Sequence, residues 1–348
     1  MPILTETTKI VIGVDTHRDT HTAAVIDTTT GALIETIQVT NDPTGYALLV
    51  STAHKHAVPR AWSIEGTGSY GSGLVRYLRE HDDSRLIEIE RPERPRRRHA
   101  KKTDAIDAAR AGRDALQLEY LNEPKHHGKR AAIAGVLAVR RSALQARKIA
   151  QQQLHALILT IPETIAVQFR GQKIRAILQH AATIATTSTD DIETQTCVVL
   201  LNSLAARHAT LDLEVKTHTT TLNSLVVDWR PDLLDEMGVG PITAATILTA
   251  WSHPGRCRHE AAFANLAGTA PIPASSGLTN RHRLNRGGDR QLNNAIHTIM
   301  LSRQRHDPAT IAYMQRRKTE HKTTREIQRS LKRYITRQIF RQLENPPK

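Results

Sequence analysis

Cysteine, aromatic residues and long apolar runs are all scarce in this sequence, and each shortage excludes a class of protein. The 348 residues include two cysteines, Cys197 and Cys257, which are too few and too far apart for a disulfide framework or a zinc cluster. Aromatic residues make up only 3% of the chain, which argues against a protein that stacks single-stranded bases on aromatic side chains. No apolar run approaches the roughly 18–20 residues of a membrane helix, and the first residues lack the pattern of a secretory signal. We therefore expect a protein of the reducing cytoplasm without a membrane partner.

Positive charge is what the sequence has in excess. Lys and Arg number 48 against 34 Asp and Glu, so the formal net charge is +14. This excess favours a polyanionic partner, of which nucleic acid is the simplest, although many basic proteins bind none. A nucleic-acid partner predicts association with the nucleoid. The length fits two or three domains and is ample for an apolar core without disulfides.

The first domain is expected at residues 1–125 and has an α/β pattern. A nearly continuous apolar run at 9–15 predicts a buried central strand, and 21–27 and 33–39 suit two further strands. The later elements are expected as a helix after Pro43, a strand at 61–65, a helix at 73–80, a strand at 86–89 and a helix from Thr103. Three meander strands followed by alternating helices and strands predict a mixed sheet.

The rest of the chain has a helical pattern. Residues 126–230 are expected to form two long helices, interrupted near Pro162 and Gly171 and again across 183–190. These helices form either an oligomerising coiled coil or an ordinary helical domain, and the pattern leaves both open. Residues 231–348 are expected to form a compact helical domain.

Four acidic residues are placed so that they can meet. Asp15 and Glu65 end the first and fourth predicted strands, so they lie at one end of the sheet if those strands are neighbours. Asp104 and Asp107 share one helical face. Four adjacent carboxylates repel one another unless cations neutralise them, and oxygen ligands suit Mg²⁺ or Mn²⁺. A pair of such ions supports phosphodiester chemistry by activating the nucleophile and stabilising the leaving oxygen.

Each acid also has an ordinary structural interpretation. Aspartate is common at strand ends, and Asp104 and Asp107 directly follow Thr103, a good helix cap whose first turn favours acids. Asp114, ten residues after Asp104, is an alternative ligand.

Basic residues are concentrated before Asp104 and near the C-terminus. Prolines keep residues 91–102 out of helix, and the expected nucleic-acid contacts there are Arg96, Arg97, Arg98, Lys101 and Lys102. A helix over 323–343 carries arginines at successive i+4 steps: Arg325, Arg329, Arg333, Arg337 and Arg341. Both segments suit phosphate contacts; a solvated loop is the alternative for residues 91–102, and the helix is equally compatible with a solvated surface.

Two shorter motifs follow residue 230. Residues 233–248 predict helix, tight turn and helix, as in a helix-hairpin-helix, with N–H groups around Gly238 and Gly240 facing outward for a phosphate. A plain helical hairpin is the alternative. Ser275 and Ser276 lie in a predicted loop, and four arginines that can hold a phosphate follow: Arg281, Arg283, Arg286 and Arg290. By themselves the serines are typical of an ordinary turn.

Taken together, these residues resemble the DEDD transposases of the insertion-sequence-110 family. The resemblance spans nearly the whole chain and rests on VIGVD (11–15), THRDTH (16–21), EGTG (65–68), KTDAIDA (102–108), GVGP (238–241), FANLAGTAP (263–271), SSG (275–277) and RGGD (286–289). It departs from the family at Asp289, where Asn is frequent, and at Asn293, where a basic residue is common. These departures concern phosphate contacts and leave the catalytic set unchanged.

The resemblance implies a RuvC-like (ribonuclease-H-fold) domain whose four acids, Asp15, Glu65, Asp104 and Asp107, hold Mg²⁺. It further implies a C-terminal transposase domain in which Ser276, or alternatively Ser275, attacks the scissile phosphate and forms a phosphoserine intermediate. Composite sites in a dimer to tetramer, double-stranded donor and target DNA, and a structured guide RNA are also implied.

Three other functions remain open at this point. A RuvC-like nuclease of the Holliday-junction resolvase type would need no serine step. A sugar-kinase or actin-like ATPase would need a second phosphate loop and an adenosine motif, which the sequence lacks. A noncatalytic nucleic-acid-binding scaffold would not depend on the four acids for any reaction.

Overall fold

The computed structural model describes residues 4–56, 58–89, 103–273, 282–283, 285 and 287–346. Its contacts divide the chain into two compact units, Met1–His127 and Gly128–Lys348. Several residues expected to be functional lie outside the described residues: Arg96, Arg97, Arg98, Lys101, Lys102, Ser275, Ser276, Arg281 and Arg286.

The first unit is built on a five-stranded mixed sheet. The strands are β1 (Ile10–Thr16), β2 (Thr20–Asp27), β3 (Leu33–Thr40), β4 (Arg60–Glu65) and β5 (Arg85–Ile89), in the order β3-β2-β1-β4-β5. The first three strands pair antiparallel, and β4 and β5 continue the sheet in parallel with β1. Every residue of the central strand β1 is buried, as its apolar run predicts. The mixed sheet confirms the α/β prediction and is consistent with a RuvC-like fold.

Helices cover both faces of this sheet. The helices are α1 (Leu4–Thr7), α2 (Pro43–Ala53), α3 (Ser72–His81) and α4 (Asp104–Gln117). Because side chains alternate along a strand, Ile12 and Val14 enter the core formed with α2 and α3. The intervening residues Val11, Gly13 and Asp15 therefore point to the opposite face, where α4 packs.

Small side chains let α4 approach the sheet closely. Ala108, Ala109, Ala111 and Ala115 are buried on this helix. Ser63 of β4 donates a hydrogen bond of 2.6 Å to the carbonyl of Ala111. The N-terminal turn of α4, which carries Asp104 and Asp107, is thereby held against the sheet.

The second unit begins with two long antiparallel helices. Its first helices are α5 (Lys129–Ile158), α6 (Glu163–Ala166), α7 (Ile174–Thr183) and α8 (Ile192–Trp229). Contacts between α5 and α8 show that the two helices run in opposite directions, because residues later in α5 contact residues earlier in α8. These contacts join Lys129 with Asp228, Arg140 with Thr219, and Arg147 with Asp212. The prediction of two long helices with breaks between them is confirmed.

The two long helices contribute side chains to two separate apolar cores, one at each end of the pair. Leu154 and Leu201 pack with α6, α7 and Phe169 at one end of the pair. At the other end, Ile133 and Val226 join the core of the C-terminal helices.

The C-terminal part is mainly helical, as predicted. It contains α9 (Pro241–Trp251), α10 (Glu260–Leu266), a two-stranded hairpin of β6 (Ile272–Pro273) and β7 (His282–Arg283), α11 (Arg290–His306), α12 (Pro308–Thr319) and α13 (Thr324–Glu344). The apolar stripe of α13 is buried at Ile327, Leu331 and Ile335. Across the described ranges, no helix combines the length and the apolar character needed to cross a membrane.

Candidate active site

Strand pairing brings the first two predicted acids together. In the parallel pair of β1 and β4, Val14 is opposite Ile64, so Asp15 and Glu65 are the next residues along the two strands. Neighbouring strands lie about 4.8 Å apart. Asp15 is only 5% exposed, so its carboxylate is largely removed from solvent.

The start of α4 supplies the other two acids. The Thr103 hydroxyl accepts a hydrogen bond from the backbone N–H of Ile106 and caps the helix, as predicted. Asp104 and Asp107 lie in the first turn. Asp107 is close enough to Asp15 to raise the pKa of its carboxyl.

His17 links the two groups of acids, although the sequence analysis did not identify it as a site residue. Its Nε2 lies 3.0 Å from Asp15 Oδ2 and 3.5 Å from Asp104 Oδ1. Asp15, His17 and Asp104 each offer a ligand atom within 4.8 Å of the others. The sequence could have indicated His17 by its position two residues after Asp15. His17 directly follows β1, in the turn that leads into β2.

The local environment disfavours the charged form of the Asp15 carboxyl. Burial raises the pKa of Asp15, and the nearby carboxylates of Glu65 and Asp107 raise it further. His17 opposes these effects through its charge and its hydrogen bond. Arg110 lies 3.3 Å from Asp107 and neutralises part of the charge at the opposite side of the cluster.

This donor set fits a divalent cation. Carboxylate oxygens are the preferred protein ligands of Mg²⁺ and Mn²⁺, and the imidazole of His17 is better suited to Mn²⁺ than to Mg²⁺. A bound cation would offset both the burial of the Asp15 carboxylate and the smaller repulsion from its acidic neighbours, which together raise its pKa. Asp114 is not part of this cluster, because ten residues of helix place it about 15 Å from Asp104.

The predicted hairpin around Gly240 differs from the expectation in two ways. Its first element is a short 3-10 helix, Pro231–Asp235, and not an α-helix. The N–H of Gly240 donates a hydrogen bond of 2.9 Å to the Thr243 hydroxyl, so the prediction that this group faces outward for a phosphate is wrong. Gly238 makes the turn with a φ of +82°, a conformation that favours glycine.

Gly238 and Gly240 nevertheless border a groove with basic walls. This groove has a volume of about 780 Å³ and is also lined by Arg290, the first residue of α11, and by Arg140 and Arg141 of α5.

A second basic cavity lies beside the hairpin of β6 and β7. It has a volume of about 450 Å³ and is lined by Pro271 just before β6 and by Arg283 of β7. Ser275 and Ser276 lie between β6 and β7 in the sequence, outside the described residues.

The arginine ridge of α13 is partly neutralised within the fold. Arg333 forms a two-armed ion pair with Glu260 of α10, and Arg337 lies 3.4 Å from the same carboxylate. The ridge is therefore neither fully solvated nor wholly available to a duplex, because two of its members hold α10 against α13.

The comparisons with known proteins agree with this geometry. The model described as Transposase IS116/IS110/IS902 family matches residues 232–315, and the DEDD transposase model of IS110, described as Transposase, matches residues 12–162. The first match includes the hairpin of β6 and β7 with one wall of the cavity beside it, but not the cavity residues of α13, and the second includes all four acids. No curated protein matches the chain. The two matches do not overlap and together span about two thirds of the sequence, so the chain belongs to the IS110 family of transposases, which are enzymes that cleave and recombine DNA.

Proposed function

We propose that this transposase cleaves DNA with a metal-dependent acidic centre and a serine nucleophile. The observation that carries the first part is the convergence of Asp15 and Asp104 on His17, with Glu65 and Asp107 close enough to raise the pKa of Asp15. In this proposal Asp15, Glu65, Asp104 and Asp107 hold Mg²⁺ or Mn²⁺. When bound, the cation supplies charge stabilisation at the scissile phosphate and acidifies a bound oxygen.

The proposed nucleophile is Ser276, with Ser275 as the alternative. Its Oγ loses its proton and forms a bond to the scissile phosphorus, while the bond from phosphorus to the leaving strand oxygen breaks and that oxygen takes up a proton. The hydroxyl of another strand then loses its proton and bonds to the phosphorus, while the bond from phosphorus to Oγ breaks and the serine hydroxyl is protonated again. Support comes from the position of both serines inside the matched region 232–315 and from Arg283, which follows them in the sequence and lines the basic cavity.

The long helices are proposed to form an oligomerisation surface in a dimer to tetramer. Large apolar side chains remain exposed on α8, among them Val199 at 63% and Leu213 at 66%. On α5, Val139 and Ile149 are exposed by 49% and 44%. A coiled coil between copies of the chain would remove this apolar surface from water.

Partner recognition is proposed to use DNA together with a structured guide RNA, in a protein associated with the nucleoid. The net charge of +14 supports a large polyanionic partner. The contacts are proposed at the basic residues before α4, at Arg281, Arg283, Arg286 and Arg290, and at the basic groove that Gly238 and Gly240 border. Sequencing the RNA that copurifies with the protein tests the guide: one discrete RNA supports it, and random RNA contradicts it.

Two paired substitutions test the catalytic centre. We expect Asp15→Asn and Ser276→Ala to abolish recombination in Mg²⁺ while DNA binding survives, and Asp114→Asn and Ser275→Ala to retain activity. Wild-type recombination by either of the first two variants would refute the role of that residue. If Ser276→Ala and Ser275→Ala both cleave DNA normally, the chain is a RuvC-like nuclease of the resolvase type without a serine step.

A further inference from the structure

The cavity beside the hairpin of β6 and β7 has an unusual charge. Its described lining includes a single carboxylate, Glu326, whereas α13 alone contributes Arg329, Lys332, Arg333 and Arg337. Arg283, Arg317 and Lys322 add three more cations from other elements.

Carboxylates around the cavity do not balance this charge. Glu260 pairs with Arg333 and Arg337, and Glu320 pairs with Arg317. Even when these two acids are counted with Glu326, cations outnumber carboxylates by seven to three. The cavity therefore holds a positive potential that favours an anionic ligand.

Lys332 is the most informative of these cations. It is half-buried, and burial lowers the pKa of its ammonium group. Among the described residues it has no carboxylate partner, and its Nζ donates a hydrogen bond of 2.7 Å to Asn293 Oδ1. A half-buried ammonium without a counter-ion is costly, so an anion at this position would stabilise it.

Asn293 holds this ammonium in a defined position. Its amide Nδ2 donates to the carbonyl of Ala267 at 2.7 Å and to that of Gly268 at 3.3 Å. These two bonds orient the amide so that its oxygen faces Lys332. A lysine ammonium has three donors, so two remain for a ligand in the cavity.

The arrangement also suits a ligand that extends beyond one ion. Arg283 and Lys322 are exposed, whereas Arg329, Lys332 and Arg333 are half-buried. A volume of about 450 Å³ lies within the range of roughly 300–1,000 Å³ for small-molecule sites, which admits a nucleotide unit. Guanidinium groups bind phosphate oxygens in pairs, and an ammonium binds them as a point charge.

We propose that this cavity binds a backbone phosphate of DNA and that Lys332, positioned by Asn293, is its anchor. The choice of DNA rests on the membership in a transposase family. The proposal concerns binding alone, so it does not depend on the metal centre or on a serine step.

The test measures the binding of a labelled DNA duplex to the full chain by fluorescence anisotropy in EDTA, over a series of salt concentrations. We expect Lys332→Met to weaken binding severalfold and to reduce the slope of log K against log salt by about 1, because one phosphate contact is lost. Lys332→Arg should keep most of the slope. Lys318→Met is the matched control, because Lys318 is an exposed lysine of α12 outside the cavity, and it should bind as the wild type does.

A second variant and further measurements distinguish duplex DNA from other anionic ligands. If Lys332→Met fails to fold, Arg283→Gln changes an exposed position of the same lining and should also reduce the slope. Calorimetric titration with inorganic phosphate distinguishes a free anion: phosphate binding that depends on Lys332, with an unchanged DNA slope, would overturn the proposal. An effect confined to a structured RNA, or an equal loss in Lys318→Met, would overturn it as well.

Discussion

Gly13 of β1 and Gly112 of α4 face each other so closely that a Cβ atom on Gly13 would lie 2.3 Å from the backbone nitrogen of Gly112. The same atom would lie 2.2 Å from the carbonyl oxygen of Ala108. This contact sets the distance between the central strand and the helix that begins with Asp104. The geometry of the acidic cluster therefore depends on a residue with no functional group.

Gly13→Ala should destabilise the protein and disturb the acidic cluster. The new methyl group meets helix backbone that cannot rotate away, so we expect a loss of about 1–3 kcal/mol in unfolding free energy, together with weaker metal binding. Urea denaturation measures the stability. Gly135→Ala in α5 is the control: nothing lies within 4 Å of its added Cβ, and it should stabilise the helix by about 0.5–1 kcal/mol. Equal effects at both positions would contradict the role given to the contact.

Asp15→Asn should raise the thermal midpoint of the metal-free protein at neutral pH. Burial and the neighbouring acids raise the pKa of Asp15, so the folded state favours its protonated form. The associated stability is present below the unfolded-state pKa and is lost as pH rises through the folded-state pKa. The amide that replaces the carboxyl carries no charge, so the variant does not lose this stability as pH rises.

The same variant should lose the stabilisation that a divalent cation provides. Wild-type protein should gain about 2.7 kcal/mol at a cation concentration of 100 Kd, and Asp15→Asn should gain little. Thermal unfolding in EDTA and in excess Mn²⁺ or Mg²⁺ measures both effects. Asp114→Asn removes a carboxyl of α4 whose pKa is also raised by burial, and it should keep the cation response. A full response in Asp15→Asn would show that the cation binds elsewhere.

His17→Ala should weaken divalent-cation binding about 10–100-fold, as is typical when a group that contacts the metal ligands is removed. The physical reason is the loss of the imidazole that lies between Asp15 and Asp104. Titration with Mn²⁺ followed by electron paramagnetic resonance measures the change. Arg18→Ala alters the next residue, whose side chain is 82% exposed, and should leave Mn²⁺ affinity unchanged. If the two variants bind Mn²⁺ equally, His17 has no part in the site.

Arg230→Met should destabilise the second unit by about 3–5 kcal/mol, because it leaves the Asp232 carboxylate, whose side chain is only 13% exposed, without its partner. Arg230 forms two bonds to Asp232, at 2.7 and 2.8 Å, and donates to the carbonyls of Gln342 and Leu343 at the end of α13. Denaturant unfolding measures the loss. Arg170→Met breaks an exposed pair with Glu163 and should cost at most about 1 kcal/mol.

The pair of Arg230 and Asp232 also predicts a pH dependence. Hydrogen bonds from Arg230 lower the pKa of Asp232. Its stabilising effect is therefore present above the ordinary carboxyl pKa of about 3.9 and is lost as pH falls through the lowered folded-state value. The stability difference between wild type and Arg230→Met should shrink in this acidic range, and a constant difference would contradict the assigned cause.

Much of the first unit was predictable, because its signals are local. The apolar run of β1 predicts burial on both faces, and the successive strand and helix patterns predict a mixed sheet. The expected meeting of Asp15, Glu65, Asp104 and Asp107 rested on two further assumptions: that the first and fourth strands are neighbours, and that the helix of Asp104 packs across that end of the sheet. The pairing of β1 with β4 confirms the first, and the approach of Asp104 to His17 beside Asp15 supports the second.

Other features depended on hydrogen-bond and ion-pair partners that the sequence pattern did not identify. Some of these partners are distant in the sequence and others are only a few residues away. Gly240 was expected to offer its N–H to a phosphate, but the hydroxyl of Thr243 accepts it. Arg333 belongs to an i+4 ridge in the sequence, but Glu260, 73 residues away, neutralises it. Spacing along one helix shows which side chains share a face, and it does not show what packs against that face.

The sequence by itself determined the positions of the helices and strands, the family resemblance, and the acids and cations available for chemistry, because periodicity and residue type are properties of neighbouring residues. The tertiary structure alone decided which charges remain uncompensated. Burial and approach distances set the cost of a charge, and both arise only after distant segments pack. Packing placed His17 between two acids, used Glu260 to neutralise Arg333, and left Lys332 without a carboxylate partner among the described residues.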